Sequence, residues 1–265
     1  EKGFGETTFA KAYGLLFAIV TVIAIGVLLP GVQSNSIADA VKSSFNINTT
    51  VTAVILVVLT GIVVLGGIKR IGSAAEFIVP FMGGLYILMA LIIIIVNINQ
   101  LPHVLAQIFK GAFGLQAPFG AIVGSTVAWG VKRGVYSNEA GQGTGPQASS
   151  AAEVNHPAVQ GFVQAFSVYV DTLFVCSATG FMILMTNCYT TFNETTKQVV
   201  YNAGQSFTTE QIGPQYTIAG INTLIPGFGG AFVTIALFFF VFTTLMAYYY
   251  IAEVNLTYIT FFSCF

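Results

Sequence analysis

The sequence predicts an all-α membrane protein, a polytopic helical bundle with one broken helix. Three observations carry that prediction. Of 265 residues, 55% are hydrophobic and only 7% charged, whereas an ordinary soluble domain carries about a quarter charged residues. Apolar stretches long enough to cross about 30 Å of hydrocarbon recur along the chain. One of them runs into a polar, glycine-rich segment, 130–146, that does not suit an uninterrupted span. The 28 glycines fit the same picture, because membrane helices tolerate glycine better than soluble ones do.

Taken in order, the first span is 12–38, free of charge and expected to kink at Pro30-Gly31, where the backbone ladder loses a donor. A second, short stretch covers 51–68 and is closed by Lys69, Arg70 and Glu76; the third is 77–96. Between 101 and 116, Leu105, Ile108 and Phe109 share one face, which predicts an amphipathic helix lying at the membrane interface. The stretch 119–153 is expected to be a broken helix. Spans at 157–186 and 228–260, separated by a polar loop over 187–226, complete six spans in a single transmembrane domain, 1–265.

Composition and motifs also exclude. Net charge is −1, with nine basic and ten acidic residues and no block of like charge, so neither a nucleic-acid surface nor a polybasic lipid anchor is expected. Cys176, Cys188 and Cys264 lack metal-ligand or CxxC spacing, and His103 and His156 have no partner motif, so all five read as structural. No HExxH or GxSxG motif is present, which argues against an intramembrane enzyme.

The chemistry is concentrated after residue 130. Gly141, Gly143 and Gly145 each weaken a helix by about 1 kcal/mol relative to alanine, and Pro146 removes a donor, so local unwinding is favoured and the chain is expected to leave its helical path between Tyr136 and Gly143. Non-helical backbone within a bilayer survives only where it lines a cavity or is buried in protein. There, free N–H groups can take a carboxylate, while carbonyls and the oxygens of Ser137, Asn138 and Thr144 can take an ammonium group or Na⁺. An aqueous loop would look alike in composition, and on the residues alone both readings stand. Asp171, in mid-span beside Thr172, either helps hold a cation or bonds a neighbouring helix. Thr243 and Thr244 either ligate Na⁺ or back-bond to their own helix. The polar run Gln33-Ser34-Asn35-Ser36 either lines a cavity or caps a helix.

At this point the residues acquire a likeness. Gly134-Val135-Tyr136-Ser137-Asn138-Glu139-Ala140-Gly141 resembles the signature of the alanine/glycine:cation symporters, and Gln33-Ser34-Asn35-Ser36-Ile37-Ala38-Asp39-Ala40 is similar to a second block of that family. Leu65-Gly66-Gly67-Ile68-Lys69-Arg70-Ile71-Gly72, Val79-Pro80-Phe81-Met82 and Val170-Asp171-Thr172-Leu173 resemble others. The resemblance implies the inverted-repeat bundle of the sodium:leucine transporters, whose first and sixth core helices unwind around substrate and sodium. On that mapping the chain is a fragment holding core helices three to eight, with 119–153 as the sixth.

The implied activity is symport of a small neutral amino acid, alanine or glycine, across the plasma membrane, with Na⁺ as coupling ion and no other cofactor. The implied substrate residues are Gln33, Tyr136, Ser137, Asn138, Glu139, Ala140, Gly141, Gln142 and Gly143. Thr243 and Thr244 are implied for sodium, with Asp171 as a further candidate. Gln142 stands where the family usually has leucine, and Thr144 where it usually has serine, so Gln142 is expected to add a polar contact to the substrate. The alternatives are proton coupling through Glu139 or Asp171, a different neutral amino acid, or a non-transporting scaffold of the same fold.

Overall fold

A computed structural model describes residues 5, 7–113, 119–139, 141–193, 196–211 and 213–263. Among these, four helices are long and apolar enough to cross a membrane: α1 (Thr8–Phe45), α3 (Gly67–Val96), α7 (Pro157–Thr186) and α9, whose apolar part is Phe228–Thr260 within Phe228–Ser263. The shorter, apolar α2 (Thr49–Val64), together with α4 (Leu101–Ala112), α5 (Phe119–Asn138), α6 (Gly145–Ser149) and α8 (Pro214–Leu224), completes the α-helices among the described residues, and single 3-10 turns lie at Ile98–Gln100 and Thr209–Gln211. Large apolar side chains such as Leu16, Val57, Leu88, Phe162 and Ile235 stand exposed, as they do where lipid rather than water is the solvent.

The helix bounds depart from the predicted stretches for local reasons. The first span does not stop at 38; α1 carries Asp39 and Lys42 and ends where Asn46 turns left-handed at φ 55° and closes on the Lys42 carbonyl. Gln33 to Ser36 therefore lie inside a helix rather than capping one, and Ser34 and Ser36 donate to the Pro30 and Val32 carbonyls at 2.8 and 3.1 Å. The second stretch ends at Val64, because Gly67 takes φ 75°, open in practice only to glycine. Lys69, Arg70 and Glu76 do not close that stretch but ride in the first turns of α3, a 30-residue helix with Pro80 inside it. The amphipathic helix is α4; positions 114–116 of the predicted stretch lie outside the described residues. The loop 187–226 is not structureless: it holds an antiparallel pair, β1 (Thr190–Phe192) with β2 (Val199–Asn202), and α8, a small departure from an all-helical chain.

By its internal contacts the chain divides into two units. The first comprises 1–80, 146–151 and 237–265. In it α1, α2 and the first half of α3 bury their faces against α9 through three clusters, Ile25 with Tyr248 and Ile251, Ile37 with Leu56 and Val241, and Ile71 with Phe242 and Met246. Glycines allow close approach here: a Cβ on Gly26 would lie 3.1 Å from the Ala252 Cβ. The second unit comprises 81–145 and 152–236. Tyr86 of α3 meets Thr179 of α7 hydroxyl to hydroxyl at 2.7 Å, and Cys188, Phe207 and Ala219 close a cluster beneath the hairpin.

Candidate functional site

The helix expected over 119–153 is interrupted after Asn138, later than the predicted onset at Tyr136. Tyr136, Ser137 and Asn138 form the last turn of α5, and the departure begins at Glu139. Within five residues three take positive φ: Glu139 at 56°, Gly141 at 89° and Gly143 at 83°. The glycines bear this freely, whereas Glu139 is held there against its own Cβ. Ala140 lies outside the described residues.

The break is fastened by its own side chains. The last four carbonyls of any helix lack an intrahelical donor, and Gln142 reaches back to one of them, donating from Nε2 to the Val135 oxygen at 2.8 Å. Its backbone N–H also bonds the Glu139 carbonyl at 3.1 Å. Gln142 therefore caps α5 through its amide nitrogen. Thr144, only 3% exposed, donates to Glu139 Oε2 at 2.7 Å.

The last turn of α5 is tied to α7 at a widened, π-helical turn, Val170–Cys176. Ser137 donates to Asp171 Oδ2 at 2.6 Å, and Asn138 donates from Nδ2 to Thr172 Oγ1 at 3.2 Å. Successive residues of one helix thus pair with successive residues of the other, and the Asp171 carboxylate comes to the edge of the break. Cys176 joins them, its sulfur 3.1 Å from Ser137 Oγ and 3.7 Å from Asp171 Oδ2. The signal for this contact was the five-residue spacing from Asp171, which matches the i→i+5 pattern of a π turn. The structural reading suits Cys188, buried under the hairpin, and His156, whose Nδ1 accepts the Ala158 N–H and caps α7. Cys264 lies outside the described residues.

The remaining predicted residues belong to the first unit. Gln33 is half-buried in α1, and its neighbour Ser34 lines a cavity of about 420 Å³ whose walls are mostly apolar. Thr243 bonds the Phe239 and Phe240 carbonyls, each at 3.0 Å, and Thr244 bonds the Phe240 carbonyl at 2.8 Å. Their hydroxyl protons are thereby spent on the helix, and each oxygen keeps acceptor capacity. Unpredicted is a polar pair in the same unit: Asn255, 5% exposed, donates to Gln147 Oε1 at 2.8 Å and to the Ile251 carbonyl at 2.7 Å, anchoring α6 on α9. An asparagine in an apolar helix was the available signal. Among the described residues no three His, Cys, Asp or Glu side chains gather as a metal site.

Comparison with known proteins gives the same direction. The model of the sodium:alanine symporter family matches residues 1–263. The Bacillus subtilis protein YrbD is 54% identical over 98% of this chain and 52% of its own length. A sodium/proton-dependent alanine carrier protein of Bacillus sp. (strain PS3) is 50% identical over 90% of this chain and 53% of its own. The sodium/alanine symporter AgcS of Methanococcus maripaludis is 38% identical over 96% and 52%. The chain thus spans about half the length of the curated relatives it matches. With its match running from end to end and its relatives named as carriers and symporters rather than enzymes, the chain belongs to the sodium:alanine symporter family, multi-pass transporters of the cell membrane.

Proposed function

We propose that the protein carries a small neutral amino acid, alanine or glycine, across the plasma membrane together with Na⁺. The observation that carries this reading is the interruption of α5 at Glu139 with the Asp171 carboxylate beside it. Unwound backbone offers N–H groups to a substrate carboxylate and carbonyls to its ammonium group, and an aspartate at the edge of that opening favours a cation. The Ser137 oxygen, bridging Asp171 and the break, links the ion to the substrate position. The Thr243 and Thr244 oxygens serve a second cation position, and Gln33 and Tyr136 are each proposed for substrate contact. The bundle follows the inverted-repeat plan of the sodium:leucine transporters, in which the ion stabilises the broken helix and the bundle then rocks to open inward.

The test is uptake of radiolabelled alanine and glycine into vesicles containing the protein, with Na⁺ present and with Na⁺ replaced by K⁺. Strong dependence on Na⁺ is expected; undiminished uptake in K⁺ refutes sodium coupling. A second reading, proton coupling, is favoured by the single carboxylate at Asp171 and by the name of the Bacillus sp. relative, a sodium/proton-dependent carrier. Under it an inward proton gradient alone drives alanine uptake.

A further inference from the structure

We propose that Thr144 is a positioning residue, whose hydroxyl holds the Glu139 carboxylate and so sets the shape of the break that grips the amino acid. The proposal rests on the reading above that this break is the substrate site.

Glu139 is the first residue past α5 and the only non-glycine in the break with a left-handed backbone among the described residues. A residue with a Cβ meets a steric cost there that glycine does not. Its compensation is the Thr144 hydroxyl at 2.7 Å, a bond between the two ends of the six-residue bend 139–144. Thr144 is nearly sealed from its surroundings. A buried hydroxyl that loses its partner is left unsatisfied at a cost, which favours keeping the Thr144 hydroxyl and the Glu139 carboxylate paired.

At the other side, Gln142 holds the α5 end through Val135. Gly141 and Gly143 lie between these two fastenings with their backbone set in the left-handed region. If the Thr144 bond is lost, Glu139 is free to swing toward a substrate ammonium group, and the backbone groups that face the substrate lose their alignment. The effect falls on affinity first and on turnover second.

The experiment compares Thr144→Val, which keeps the shape and loses the hydroxyl, with Thr144→Ser, which keeps the hydroxyl. Expected in Na⁺-driven alanine uptake is a KM raised about tenfold in T144V, with maximal rate lowered less than about threefold, and parental behaviour within about twofold in T144S. T144V indistinguishable from the parent, or T144S as impaired as T144V, overturns the proposal.

A double-mutant cycle with Glu139→Ala adds a readout that bulk packing does not move. The cost of T144V must shrink when Glu139 is already gone, and additive costs overturn the latch. Should the parent take up no alanine, the functional reading fails and the latch is judged by itself. Hydrogen exchange over 139–145 must then accelerate in T144V and not in T144S, and equal exchange in both overturns it.

Discussion

Two helices of this protein carry the same deformation for different reasons. In α1 a π-helical turn spans Val22–Leu28, and in α7 another spans Val170–Cys176. The first is answered by the chain itself. Pro30 has no N–H for the Gly26 carbonyl, and the ladder widens just before it, with Leu29 bonding Ala24 five residues back. The second has no proline. It is stitched by side chains: Ser177 bonds the Thr172 carbonyl at 3.0 Å, and Asp171 and Thr172 are engaged by Ser137 and Asn138 of α5. A widened turn caused by proline is a matter of backbone geometry. A widened turn held by a carboxylate and a neighbouring helix is a matter of side-chain pairing, and it brings polar groups to the edge of a break.

That contrast can be broken in order of size. Asp171→Ala should have the largest effect, lowering Na⁺-driven alanine uptake about 10- to 100-fold, the range expected when a charge-assisted hydrogen bond is lost. Uptake within twofold of the parent would remove Asp171 from the transport cycle. Thr172→Val, which deletes only the acceptor for Asn138, should cost about fivefold, in keeping with one neutral bond. If it costs as much as Asp171→Ala, the turn acts as a unit rather than through its carboxylate.

Pro30→Ala restores the missing donor in α1 and should leave uptake within about twofold of the parent while letting the turn relax toward α-helix. A loss as deep as that of Asp171→Ala would show that both π turns serve transport. The smallest effect is expected from Ser34→Ala, since that hydroxyl only back-bonds to the Pro30 carbonyl; a shift in thermal midpoint of no more than about 2 °C is the outcome to look for.

The same contrast explains what could be read in advance. Pro30 announced its irregularity, because proline lacks a donor wherever it stands. The break after α5 was equally visible in Gly141, Gly143, Gly145 and Pro146, yet its onset was placed three residues early. Tyr136, Ser137 and Asn138 continue the helix because their side chains, at least those of Ser137 and Asn138, are paired to α7. The bond from the Gln142 amide to the Val135 carbonyl was not foreseen, because the sequence does not show which way a side chain turns at a break. The back-bonding of Thr243 and Thr244 was one of two readings the residues allowed, and the helix takes it up.

By itself the sequence determined that this is a helical membrane protein, where its long apolar helices run, and that one helix fails in a glycine-rich stretch. Each of these depends on local composition and on the cost of unpaired backbone in lipid. Only the tertiary structure decided that Ser137 meets Asp171 across 34 residues, that Cys176 joins them, and that Asn255 fastens Gln147 across 108. Such pairings are fixed by which faces two helices turn to each other. That depends on packing summed over whole helices, and no short window of residues contains it.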